Sequence, residues 1–121
     1  MALSLRDQGY LVTDHALHRL LRGLPLLEVL SLQNCSHLTD VSIDNILALA
    51  PRLRSLNLIG CTRIDCQALL RCLLGLQRCT LLELSGAGMD KEYLALLTDS
   101  AAQRRVRLNI VRDEESRAYL F

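Results

Sequence analysis

Apolar residues return along this chain at a nearly fixed step. Leu-x-Leu, or Leu-x-Ile in its last copy, begins at Leu3, Leu30, Leu56, Leu82 and Leu108, at intervals of 27, 26, 26 and 26 residues. Alternation of apolar and polar residues over so short a span predicts a strand. After each of the first four strands the period changes. Leu17, Leu20, Leu21 and Leu24 share one helical stripe, as do Ile43, Ile46, Leu47 and Ala50, and then Leu69, Cys72, Leu73 and Leu76. Thr13-Asp14, Thr39-Asp40 and Asp65 stand just ahead of these stripes and offer N-cap acceptors. Gly23 with Pro25, and Pro51, stop the first two helices. The fourth unit reads as degraded: Asp90 caps, Tyr93, Leu96 and Leu97 give a shorter stripe, and Gly86-Ala87-Gly88 forms the turn. Residues 112–121 read as a C-terminal cap, charged first and then apolar, with Tyr119, Leu120 and Phe121 closing the end of the core.

A strand and a helix repeated every 26 residues predict an α/β leucine-rich-repeat solenoid, with parallel strands on the concave face and helices on the convex face. Residues 1–121 then form a single domain, with units starting near 3, 30, 56 and 82 and a final strand near 108. No unit can bury its own apolar face. Stacked at about 4.8 Å, five strands make a sheet about 20–25 Å wide and share one core.

Two units carry a finer pattern. Leu27, Leu30, Leu32, Cys35, Leu38, Thr39 and Asp40 are followed by Pro51, Leu53, Leu56, Leu58, Cys61, Ile64 and Asp65. This resembles the cysteine-containing leucine-rich repeat, a subclass typical of the F-box substrate-recognition proteins of ubiquitin ligases. The first unit departs from it with Gln8 at the cysteine position and one inserted residue, and the fourth has Ala87 there. The resemblance implies a non-catalytic protein–protein interaction module that recognises a substrate or partner in a ubiquitin-ligase-like setting. F-box proteins carry a three-helix segment ahead of the repeats, and Met1 stands two residues before the first strand. The expectation is therefore either a piece of a longer recognition protein or a stand-alone repeat protein. The latter would be a structural subunit of a large assembly, such as a mitochondrial or ciliary complex.

Side chains alternate along a strand, so the residues between the inward leucines face the concave side. Arg6, Ser31, Gln33, Asn57, Ile59, Leu81, Glu83, Arg107 and Asn109 form the predicted partner surface there. Interface hot spots favour aromatic residues and Arg, which leaves Arg6 and Arg107 as anchors. A second predicted surface is the N-terminal edge at Leu3, Ser4 and Leu5. Repeat arrays carry polar caps, none precedes Leu3, and an uncovered edge strand offers free backbone groups.

Composition narrows the chemistry. Aromatic residues are only 3% of the chain, so the core is Leu, Ile, Val, Ala and Cys. Fourteen basic residues against 13 acidic ones give no field that draws nucleic acid or an anionic membrane. No apolar run is long enough to span a bilayer. Five cysteines without a Cys-x-x-Cys argue for a reducing compartment, cytoplasm or nucleus, with the mitochondrion left open. Cys35 and Cys61 read as buried thiols donating weakly to backbone carbonyls. Cys72 and Cys79 take leucine positions, and Cys66 is the thiol expected at the surface. His15 and His18 read as a solvated helix face, His37 as part of an exposed turn. Asp14, Asp40, Asp65 and Asp90 read as helix caps rather than a catalytic or calcium-binding set. Gly86 and Gly88 lack the third glycine and the lysine of a phosphate loop. Arg104, Arg105, Arg107 and Arg112 read as a solvated basic edge. No nucleophile stands beside a base at a recognisable spacing. The reading assigns no enzymatic activity, cofactor, metal, small-molecule substrate or membrane, disfavours nucleic acid, and expects protein partners.

Overall fold

The leucine-centred segments become strands that lie side by side in register. The computed structural model describes residues 1–9, 11–86 and 88–111. Strands β1 (Ala2–Ser4), β2 (Val29–Ser31), β3 (Ser55–Asn57), β4 (Leu81–Ser85) and β5 (Arg107–Val111) form one parallel sheet in that order. Helices α1 (Asp14–Arg22), α2 (Asp40–Leu49), α3 (Cys66–Gly75) and α4 (Lys91–Arg104) connect them, each packed on its sequence neighbours. The register aligns Leu3, Leu30, Leu56, Leu82 and Leu108 in one row. The three inner members of that row are fully buried, while Leu3 and Leu108, on the outer strands, are only partly covered. A second row, Leu32, Leu58 and Leu84, is buried beside it, Leu27, Leu53 and Cys79 form a third, and Val106 is buried ahead of β5. Cys79 and Cys72 thus fill leucine slots in the core.

The helices add Leu17, Leu21, Ile43, Ile46, Leu69, Leu73, Leu97 and Ala101 to this core. Two residues of the predicted stripes do not join it: Leu20 is 40% exposed and Leu96 46%. They lie on α1 and α4, the two ends of the helix row, which among the described residues have a helix neighbour on one flank only. The middle helices pack closely. A Cβ on Gly75 would approach Leu47 Cδ2 to 2.6 Å, so the leucine of α2 lies directly over the glycine of α3.

Two expectations need correction. The fourth helix is the longest, 14 residues, because its helical pattern runs on through Ala101 to a left-handed Arg105 at φ 59° that ends it. The four recurring acids are not four caps. Thr13 Oγ1 accepts from Ala16 N and Thr39 Oγ1 from Val41 N, so the first two helices are capped by threonine. Asp65 and Asp90 do cap, accepting from Ala68 N at 2.8 Å and Tyr93 N at 2.7 Å. Asp14 and Asp40 sit one residue inside their helices and reach forward to the next unit. Asp14 accepts from Thr39 N at 2.9 Å, Thr39 Oγ1 at 2.6 Å and Ser42 Oγ at 2.5 Å. Asp40 accepts from Asp65 N at 2.9 Å. The extra residue of the first unit falls in its turn, before Val12, and leaves Leu11 75% exposed. The expected C-terminal cap, 112–121, lies outside the described residues. Among the described residues no helix is long and apolar enough to cross a membrane.

Candidate functional site

The outward face of the sheet carries the side chains that the leucine rows leave free. Its middle row is Ser4, Ser31, Asn57, Glu83 and Asn109, brought side by side by the strand register. Cross-strand hydrogen bonds order it. Asn57 Nδ2 donates to Gln33 Oε1 at 3.0 Å, and Asn109 Nδ2 donates to Glu83 Oε2 at 3.0 Å. The row beside it begins with Ala2 and continues through Val29, 41% exposed, Ser55, Leu81 and Arg107. Ser31, Gln33, Asn57, Leu81 and Glu83 are half-buried, whereas Arg107 and Asn109 are exposed. Arg6 is exposed and 3.9 Å from Asp7 Oδ2, a pair that solvent screens to little effect.

Ile59 does not belong to this surface. The chain leaves β3 after Asn57, Ile59 N donates back to Asn57 Oδ1 at 2.9 Å, and the isoleucine side chain is only 8% exposed. At the N-terminal edge, Ser4 is exposed while Leu3 and Leu5 rest partly against the core. Leu5 N donates to Ser31 O at 2.8 Å, which commits that amide to β2. Among the described residues no strand pairs with the other edge of β1.

A turn column escaped the reading of the chain. Asp7 and Asn34 both have φ 65° and Gly60 has φ 80°, in equivalent places after the first three strands. Asn34 Nδ2 donates to Asp7 Oδ1 at 2.7 Å, and a Cβ on Gly60 would collide with Asn34 Oδ1. Asp, Asn and Gly are the residues that tolerate left-handed backbone, and their spacing was the available signal.

Two of the thiols bond to the preceding unit. Cys35 Sγ donates to Leu5 O and Cys61 Sγ to Leu32 O, each at 3.1 Å and each one unit back. Burial pushes Cys61 up to about 12, and Cys72 likewise to about 12. Cys66 alone is not fully buried. Burial, then the carboxylates of Asp65 and Asp90, raise its thiol too. We expect iodoacetamide to alkylate one cysteine of the folded protein, Cys66, at a rate that climbs above pH 9. The other four react only on denaturation. Modification of Cys61 in the native state, read by peptide mass spectrometry, would contradict this burial.

His15 is exposed and His18 half-buried. Among the described residues no group of three or more His, Cys, Asp or Glu is placed to hold a metal ion. The basic edge is regrouped. Arg104 turns back, its Nη2 donating to Gln77 Oε1 at 3.4 Å, and Arg112 lies outside the described residues. Arg105 and Arg107 are joined instead by Arg54 around one groove. No protein-family model matches the chain.

Proposed function

We propose that these units form a leucine-rich-repeat solenoid whose sheet is its concave face, and that the chain is a non-catalytic protein-recognition module in a ubiquitin-ligase-like setting. The observation that carries this reading is the outward middle row. Side chains from consecutive strands stand in register there, and Gln33–Asn57 and Glu83–Asn109 are already tied to one another. A surface ordered before binding loses less side-chain freedom on association. The ligase setting rests on the resemblance of the cysteine-bearing units alone.

The test is photo-crosslinking in cells, with benzoylphenylalanine at Ser31 or Ser55 on the sheet and at Ala48 or Gln67 on the helices. Adducts to a protein partner from the sheet positions only, in complexes that also hold an F-box adaptor and a cullin, are the expected result. Adducts from the helix positions alone would remove the sheet from the function.

A second reading, a structural subunit of a large assembly, is favoured by the first unit, where Leu11 and Leu20 are exposed and Ala16, Arg19 and Leu20 line an apolar recess on α1. It expects a fixed set of neighbours at equal stoichiometry in place of adaptor and cullin.

A further inference from the structure

Arg54, Ser55, Thr80, Leu81, Arg105 and Arg107 line one open groove of about 520 Å³ at the start of β3, β4 and β5. The backbone there is tightly tied. Arg54 O accepts from Thr80 N at 2.8 Å and Leu81 N at 3.1 Å, and Thr80 O accepts from Arg107 N at 2.8 Å. Arg54, just ahead of β3, and Arg107, in β5, therefore lie two strands apart, about 10 Å between backbones. The strand between them contributes only uncharged Thr80 and Leu81, and Thr80 Oγ1 is turned to Arg54 O at 3.2 Å. Arg105 enters from the left-handed end of α4. Two long side chains from the flanks and a third from the turn can converge on a group lying over β4.

Among the described residues the charge in the groove is poorly answered. Glu28 Oε2 is 4.0 Å from Arg54 Nη1, and its other oxygen is 3.4 Å from the Met1 amine. Glu83 Oε2 accepts from Asn109. Among the described residues no carboxylate lies within ion-pair distance of Arg105 or Arg107. In a chain with net charge +1, three guanidiniums around one groove are a local excess.

We propose that this groove is the subsite for a phosphorylated residue of the partner protein, so that the segment recognised on the sheet is a phosphopeptide. The proposal rests on the protein-recognition reading above and names its partner class. A phosphate monoester has three terminal oxygens and close to two charges, enough to accept from all three guanidiniums; a single carboxylate has two oxygens and one charge. A nucleic acid fits less well. Among the described residues no aromatic side chain lines the groove for a base to stack on. The row that leads away from it, Asn57, Glu83 and Asn109, carries a carboxylate that would repel a second phosphate. One phosphate followed by neutral, hydrogen-bonding chain matches both regions.

The experiment is fluorescence anisotropy at low salt on the full chain. The probe is a fluorescein-labelled peptide, Gly-Ala-Ser-Ala-phosphoserine-Ala-Ser-Ala-Gly, beside its unphosphorylated form, an oligouridine and phosphatidylserine vesicles. The phosphopeptide is expected to bind at least tenfold more tightly than the unphosphorylated form. Arg54→Gln and Arg107→Gln should each weaken it about tenfold, the loss of one charge-assisted contact. Arg71→Gln, on the helix side and paired to Asp44 at 2.6 Å, leaves the affinity unchanged. All three positions are at the surface, and circular dichroism verifies that each variant is folded. Equal binding of the two peptides, tighter binding of oligouridine or vesicles, or equal losses at Arg71 and Arg107 would overturn the proposal. If the phosphopeptide fails while crosslinks from Ser31 persist, the subsite is wrong and protein recognition stands; if both fail, the wider reading fails with it.

Discussion

Leu56→Ala lowers the free energy of unfolding by about 2–5 kcal/mol, the largest loss expected from any one side chain. Leu56 is fully buried at the centre of the sheet, with Leu30 on one side and Leu82 on the other. Truncation removes its transfer energy and leaves a cavity that rigid neighbouring strands cannot close. The same change at Leu108, on the outer strand and only partly buried, opens to solvent and costs well under half as much. Urea titration of both variants at equal protein concentration measures the difference, and the melting temperature should fall by roughly 3–6 °C per kcal/mol. Equal losses at the two positions would mean that the sheet has no protected centre.

Asp14→Ala is the second large effect, about 2–4 kcal/mol. It leaves Thr39 N, Thr39 Oγ1 and Ser42 Oγ without their shared acceptor, and Ser42 is fully buried. An unmet buried donor costs about 1–3 kcal/mol. The loss depends on pH. Burial alone would raise the Asp14 carboxyl, but the hydrogen bonds from Ser42 and Thr39 outweigh it and hold the group below its ordinary value of 3.8. Folded Asp14 therefore keeps its charge where the unfolded chain has begun to take up a proton. Its contribution is complete above the unfolded value and disappears as pH falls through the folded one. The stability gap between wild type and Asp14→Ala should be constant near neutrality and narrow below about pH 4. A gap that widens in acid would mean that Asp14 is protonated in the fold.

The rows of the sheet were legible because two periods coincide. An alternation of two places Leu30, Leu32, Leu56 and Leu58 inward, and the 26-residue step aligns them, so register followed from spacing alone. The roles of the acids were not legible at that resolution. Asp14 and Asp40 are 26 residues apart, but Asp65 and Asp90 follow at steps of 25. That one-residue slip separates two jobs. Thr13, Thr39 and Asp65 are the equivalent cap positions, whereas Asp14 and Asp40 are equivalent to Cys66. The bracing acid thus gives way to a thiol in the third unit. Ile59 was misplaced because alternation was carried past the end of β3, where the backbone bends back on Asn57. The arginine groove needed three dimensions. Arg54 lies some fifty residues from Arg105 and Arg107, and only the pairing of β3 with β4 and β4 with β5 brings them to one place.

Most side-chain bonds that tie one unit to the next run one way, although Met1 N donates forward to Glu28 Oε1 and Gly60 N to Ser85 Oγ. Asn34 donates to Asp7, Cys35 to Leu5, Thr39 and Ser42 to Asp14, Asn57 to Gln33, Cys61 to Leu32, Arg71 to Asp44 and Asn109 to Glu83. In each of these the donor belongs to the later unit and the acceptor to the earlier. A chain leaving the ribosome N-terminus first therefore lays down these side-chain acceptors before their donors are synthesised, whereas strand amides such as Leu5 N and Leu32 N wait for a carbonyl of the unit that follows.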